Sequence, residues 1–82
     1  MPTIEPILHP VVISQVMVNF AASFGIDKET CLLGTSISEA QLHDSEALIS
    51  YSQEMRLVEN LILALPNESA LGFKLGLQYT IS

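Results

Sequence analysis

Between Ser50 and Pro66 the sequence leaves little choice of conformation. Tyr51, Met55, Val58, Ile62 and Leu65 recur at intervals of four, three, four and three, and Leu57 and Leu61 widen the stripe. That period places them on one face of an α-helix and is incompatible with the two-residue repeat of a strand. Ile49-Ser50 opens the helix. Ser50, with Gln53 three residues on, has the spacing of a capping box, in which each side chain satisfies the other's backbone N–H. Pro66 lacks an N–H and stops the helix.

The remaining elements follow from punctuation and period. Pro2, Pro6 and Pro10 disfavour helix and predict an extended lead-in, with Pro10 suited to the first turn of the helix that follows. From Val11 to Phe24 only Gln15, Asn19 and Ser23 form a regular polar stripe, so this helix is predicted to be buried on most of its circumference. Gly25 ends it, in the position that favours a left-handed residue. Asp27 is the expected N-cap of a short helix, with Ile26 and Cys31 as its hydrophobic staple. Ser38 caps another, with Gln41 closing a box and Ile37 and Leu42 as staple. Residues Leu32–Ser36 read as a turn and His43–Glu46 as a polar loop.

Asn67 is placed to cap a last helix beginning at Glu68. There the patterns conflict. Phe73, Leu75, Leu77, Tyr79 and Ile81 alternate strictly with Lys74, Gly76, Gln78, Thr80 and Ser82, as in a half-buried strand, while Leu71 and Leu75 share a helical face. The reading is a helix from Glu68 to about Lys74–Gly76, then an extended tail. The expected fold is mainly α, a small bundle of four or five helices with a short extended or strand segment at the C-terminus. Its core is expected around Val12, Val16, Phe20, Phe24, Leu57, Val58, Leu61 and Ile62.

Composition limits the function. Eighty-two residues suit one small domain or part of a larger one. Three Lys and Arg against nine Asp and Glu give a formal net charge of −6, which is wrong for a self-sufficient nucleic-acid binder. Hydrophobic residues make up 49% and charged residues 15%, an apolar excess for a chain whose surface-to-volume ratio is high. The chain is therefore expected to bury apolar surface against something else. Cys31 is alone and excludes an intramolecular disulfide framework. The first residues lack the basic segment of a secretory signal, and Val11–Phe24 is too short and too polar to span a bilayer. A soluble, cytoplasmic protein with no membrane contact is expected.

No residue pattern marks catalysis. Asp27, Glu39 and Glu68 fall near helix N-termini, where the helix dipole accounts for them. His9 and His43 lie far apart in sequence with no acidic or thiol neighbour at ligand spacing, so no metal site is expected. Cys31 reads as a small core residue, and Ser14, Ser23 and Ser36 lack the context of a nucleophile. Tyr51, Met55 and Arg56 are candidates for a small-molecule pocket, although core packing of the first two and solvation of the third explain them more simply. Gly72 and Gly76 suggest either close helix packing or a weakened helix end. No cofactor is expected, and the ligand-binding residues stay unassigned.

Asp44-Ser45 superficially resembles the attachment site of acyl carrier proteins, which carry phosphopantetheine on a Ser at a helix start. Glu46 stands where a carrier normally has Leu, and the helix beyond has only Glu54 and Glu59, offset by Arg56, in place of an acidic docking face. A carrier modified at Ser45 and a stand-alone helical interaction module are the alternative readings.

A longer series of blocks resembles the N-terminal, arabinose-binding-like effector domain of bacterial AraC-type transcription regulators. Phe20–Ile26 followed by Leu32-Leu33-Gly34 is similar to the family's first helix, glycine turn and leucine pair. Ile37–Leu42 with Asp44, then Ile49-Ser50 and the long helix, follow in the same order. Asn67–Gly76, reading Asn-Glu-Ser-Ala-Leu-Gly-Phe-Lys-Leu-Gly, resembles a family signature. The likeness covers about residues 10–76. It implies that residues 1–82 are the first part of a sensor domain that binds a small-molecule effector and takes part in dimerisation. The partners it implies are the rest of the same polypeptide, including a C-terminal helix-turn-helix DNA reader, and a second copy as homodimer. It implies no enzyme, and no direct nucleic-acid contact from this segment. The family's effectors are diverse, so the sugar in its name says little about this ligand. On this reading the apolar excess belongs to surface that the rest of the sensor domain covers.

Overall fold

The computed structural model describes residues 8–81, with side chains described to Leu77. In chain order the elements are β1 (Leu8–Pro10), α1 (Val12–Ala22), α2 (Lys28–Leu32), α3 (Glu39–His43), β2 (Leu48–Ser50), α4 (Tyr51–Ala64) and α5 (Asn67–Ile81). The helix between Ser50 and Pro66 is the hub. It packs against α1, α2, α5 and β2. Leu57 and Leu61 on its inner face are fully buried, together with Val11, Ala21, Cys31 and Ile49 from four surrounding segments.

Local polar chemistry sets the boundaries. The Ser50 hydroxyl accepts from the Gln53 N–H at 3.1 Å while the Gln53 side chain accepts from the Ser50 N–H at 2.9 Å, so the capping box is complete. Asp27 caps α2 by accepting from the Thr30 N–H at 2.8 Å. Ser38 caps α3 through the Gln41 N–H at 3.0 Å, but the Gln41 amide reaches the Leu48 carbonyl instead of turning back. Gly25, at φ +79°, closes α1 in the left-handed region, as its position predicts. Asn60 then fixes α2 to α4, its amide donating to the carbonyls of Cys31 and Leu33, both at 2.8 Å. The Gln15 amide donates to the Leu42 carbonyl at 2.6 Å and ties α1 to the end of α3.

Asn67, expected to cap the last helix, is instead its first residue, and three larger expectations change as well. The first concerns the N-terminal side. Pro10 is the last residue of a strand rather than part of a helix, and β1 pairs antiparallel with β2 in the register Leu8–Ser50, His9–Ile49, Pro10–Leu48. Ile49-Ser50 thus closes a strand before Ser50 caps α4. Strands of three residues are too short to declare a period. The part of the lead-in around Pro2 and Pro6 lies outside the described residues.

The second concerns which face of α1 is buried. Val12, Val16, Phe20 and Phe24 are 48%, 63%, 37% and 44% exposed, and Ser14, Met17, Val18 and Ala21 are buried in their place. A helix apolar on most of its circumference does not announce its inner face. Tertiary contacts choose it, with the small Ala21 and Ser14 turned inward. On α4, Leu57, Val58 and Leu61 are buried as expected, and Ile62 packs half-buried against them.

The third concerns the C-terminal segment. The expected extended tail does not form, because α5 continues through the alternating stretch to Ile81. Phe73 and Leu77, four residues apart, pack together against the core, and that helical spacing prevails over the alternation. Ser82 lies outside the described residues. The helical bundle with a two-stranded sheet keeps the mainly α class, with the strands at Leu8–Pro10 and Leu48–Ser50 and none at the C-terminal segment among the described residues.

Candidate functional site

Val16 and Phe20 of α1, with Phe24 just beyond it, are not buried in the core and face α5 across a groove of about 480 Å³. Val16, Phe20 and Phe24 form one wall, and Ile13 and Met17 line the groove beside them. Phe73 and Leu77 of α5 contribute to the opposite wall with Gly72, Gly76 and Ser69. Phe20 stacks on Phe73 with ring centroids 5.9 Å apart and planes 12° apart. Phe24 meets Phe20 edge-on at 5.2 Å. Ser69 is the single polar side chain among the described lining residues, and none of them is charged.

Gly72 and Gly76 neither break α5 nor admit a closely packed helix. A Cβ added at either position would meet nothing within 4 Å among the described residues. The two glycines both line the groove.

The other candidate, Tyr51 with Met55 and Arg56, is not brought together as a pocket. Tyr51 lies edge-on to the His9 ring at 5.8 Å, and Met55 packs against the core. Arg56 extends over the α2–α3 turn, its guanidinium 3.2 Å from where a Gly34 Cβ would stand. His9 does acquire an acidic partner that sequence distance conceals. Its Nδ1 lies 2.9 Å from Oε2 of Glu54, 45 residues on, and Glu54 is fully buried. The second oxygen of Glu54 and the hydroxyl of Ser14 are buried without a hydrogen-bond partner among the described residues. This pair joins the N-terminal strand to the first turn of α4.

His43 sits beside Lys28, its Nε2 2.9 Å from Nζ, and Lys28 lies 3.6 Å from Glu39. Among the described residues, no three His, Cys, Asp or Glu side chains gather as a metal site. Cys31 is buried, and burial followed by the nearby Asp27 charge pushes its thiol pKa up, which disfavours the reactive thiolate. Ser23 donates to the Phe20 carbonyl at 2.6 Å, and Ser36 occupies the turn after α2 at φ +62°. Ser45 lies in a turn between α3 and β2, whose N-terminal side is held by Asp44 accepting from the Glu46 N–H at 3.0 Å. A strand, not a helix, follows Ser45, so the carrier resemblance lacks its structural context.

The groove was concealed in the sequence because its α1 wall reads as core. The available signal was the surplus: one apolar stripe through Val16 and Phe20 beside another through Met17, Val18 and Ala21. A helix with two apolar faces has two different surfaces to cover.

The family described as the arabinose-binding domain of AraC transcription regulators, N-terminal, matches residues 25–82. That span holds α2 to α5, including both glycines of α5. Across all 82 residues the chain is 27% identical to an uncharacterized HTH-type transcriptional regulator of Mycobacterium bovis and to one of Mycobacterium tuberculosis. It spans 24% of the length of each. No solved structure matches. With the family match covering well over half of its length, the chain belongs to the arabinose-binding domain family of AraC-type transcription regulators.

Proposed function

We propose that this chain is the N-terminal, effector-sensing part of a longer one-component transcription regulator. The observation that carries the reading is the groove between α1 and α5, about 480 Å³ in volume, in a chain of an effector-domain family. That volume lies within the range typical of small-molecule sites, about 300–1,000 Å³. The relatives are named HTH-type regulators and are about four times as long, which supports a DNA reader elsewhere in the polypeptide. The present segment carries three cations against nine acids and leaves DNA contact to that reader. Such a regulator works in the cytoplasm. Among the described residues no helix is long and apolar enough to cross a membrane, in keeping with that location.

Coupling follows from differential affinity. An effector that binds one arrangement of the sensor more tightly shifts the population toward it, and with it the orientation of the DNA readers. The exposed stripe of Leu71 and Leu75 on α5 is the surface through which this segment meets the rest of the sensor domain or a second copy. The test is promoter affinity of the full-length regulator with and without saturating effector. Coupling of the usual size changes it by about fivefold or more. Promoter affinity that ignores every tightly bound small molecule would refute the reading.

A further inference from the structure

We propose that the cleft between α1, the start of α2 and the end of α3 binds the carboxylate of a short monocarboxylic acid, held by the Lys28 ammonium and the Asn19 amide. The cleft has a volume of about 160 Å³. Gln15 and Asn19, from the polar stripe of α1, line it together with Lys28 of α2 and Leu42 and His43 of α3. In a chain with three Lys and Arg, two His and a net charge of −6, one ammonium and one imidazole meet here. None of the described residues of this cleft lines the α1–α5 groove, so it stands independently of the effector-sensing reading.

The ammonium selects an anion. A lysine has three N–H donors and no acceptor, so Lys28 donates to Nε2 of His43 at 2.9 Å, and that nitrogen carries no proton. His43 is therefore neutral in this arrangement, and Lys28 is the single positive charge among the described lining residues. Its acidic neighbour Glu39 is 3.6 Å away, with a side chain 68% exposed. That is longer than a strong charged hydrogen bond, about 2.7–2.9 Å. Such a loose, exposed pair contributes little, so a ligand carboxylate displaces Glu39 at small cost. The Asn19 side chain makes no hydrogen bond among the described residues and supplies a second donor. One positive charge matches one negative charge, and Glu39 and Asp44, at either end of α3, oppose an ion of higher charge.

The site is held before a ligand arrives. The Gln15 amide fixes α1 to the Leu42 carbonyl at 2.6 Å, while the Lys28–His43 bond fixes α2 to α3. A frame already bonded costs a ligand less affinity in ordering. Val18 and Leu42, both buried, offer apolar ground for a short hydrocarbon remainder. Its length is limited by a volume only about five times that of one liquid water molecule.

The experiment titrates the 82-residue chain with propionate, propionamide and inorganic phosphate at constant ionic strength, following amide and imidazole chemical shifts. Propionate is expected to bind saturably, with shifts centred on Asn19, Lys28 and His43. Propionamide, which lacks the charge, is expected to bind about tenfold more weakly or not at all, and phosphate more weakly than propionate. Lys28→Gln is expected to weaken propionate binding by about tenfold or more, and Asn19→Ala by about threefold. Glu39→Gln removes the competing carboxylate and is expected to tighten binding about two- to fivefold. Glu59→Gln removes the same charge from α4 and is expected to leave affinity unchanged. Absence of propionate binding, equal binding of propionamide, tighter binding of phosphate, or unchanged affinity in a folded Lys28→Gln chain overturns the proposal. So does a gain in Glu59→Gln equal to that in Glu39→Gln, which would reduce the effect to net charge. Asn19→Ala and Glu39→Gln decide the matter even where Lys28→Gln does not fold. The effector-sensing reading fails separately, on an unresponsive promoter affinity of the full-length regulator.

Discussion

Gly25 and Gly34 both adopt left-handed backbone, at φ +79° and +72°, yet their surroundings differ. At Gly25 an added Cβ meets open space, so Gly25→Ala carries only the conformational penalty, about 1 kcal/mol. At Gly34 the same Cβ would stand 3.2 Å from the Arg56 guanidinium, the flexible end of a long side chain that relieves the contact by a small shift, so Gly34→Ala is expected to lose about 1 kcal/mol as well. Urea denaturation of the native chain and the two variants measures this, and a much larger loss at Gly34 would show Arg56 to be held in place. Asp27 yields a pH prediction. Hydrogen bonds from the Thr30 side chain and then its backbone N–H stabilise the ionised carboxylate and lower its pKa. A carboxylate lowered on folding adds stability above its unfolded pKa, near 3.9, and that contribution is lost as pH falls through the folded value. Between pH 5 and pH 2.5 the denaturation midpoint of the native chain should therefore fall further than that of Asp27→Asn, which keeps the cap without the charge. Equal falls would remove Asp27 from the acid response. Both residues were readable in the sequence, because glycine after a helix and aspartate before one act through their nearest neighbours. The His9–Glu54 pair was not, since 45 intervening residues must fold before the two meet.

At the level of elements, the same division between local and tertiary information recurs. The caps at Asp27, Ser38 and Ser50 form where their spacing places them, because a cap needs only its own helix turn, whereas the reciprocal box expected at Ser38 stays open because a tertiary partner, the Leu48 carbonyl, takes the Gln41 amide. The buried face of α1, the strand pair and the full length of α5 depend on what packs where, and each departs from the linear pattern. The groove inherits this difficulty, since one of its walls is the α1 face that linear patterning assigned to the core. Cap strength should track its bonding. Ser50→Ala breaks a reciprocal box on the central helix and is expected to cost about 1.5 kcal/mol, whereas Ser38→Ala removes a single bond from a five-residue helix and costs about 0.5 kcal/mol. Thermal unfolding of the two variants tests the order, and a larger loss from Ser38→Ala would contradict the role of α4 as hub. α5 gives the opposite sign. Gly72→Ala fills no occupied space and removes a helix-weakening residue, so it should stabilise the chain by about 1 kcal/mol. A destabilised Gly72→Ala chain would mean that Gly72 is already in contact with something.

At the scale of the molecule, two apolar surfaces of the chain stand out. One lines the α1–α5 groove. The other is the outer stripe of α5, where Leu71 and Leu75, one turn apart, are 60% and 51% exposed. Under the proposed function this stripe meets further polypeptide, and the isolated 82-residue chain leaves it in water. Apolar attraction through the stripe is opposed by the net charge of −6 on every copy. Salt weakens the repulsion, since the Debye length falls from about 10 Å at 0.1 M to about 3 Å at 1 M, and leaves the apolar term in place. The chain should therefore self-associate reversibly, and more tightly at 0.5 M than at 0.05 M sodium chloride. Sedimentation velocity over a range of concentrations measures this. Leu71→Ser with Leu75→Ser should shift the equilibrium toward monomer at both salt levels, with little change in thermal stability because neither side chain is in the core. A native chain that stays monomeric throughout, or a double variant that associates as the native chain does, would deny this stripe a role in assembly. An association that weakens with salt would instead indicate pairing of opposite charges, for which this chain has three cations and nine acids to offer.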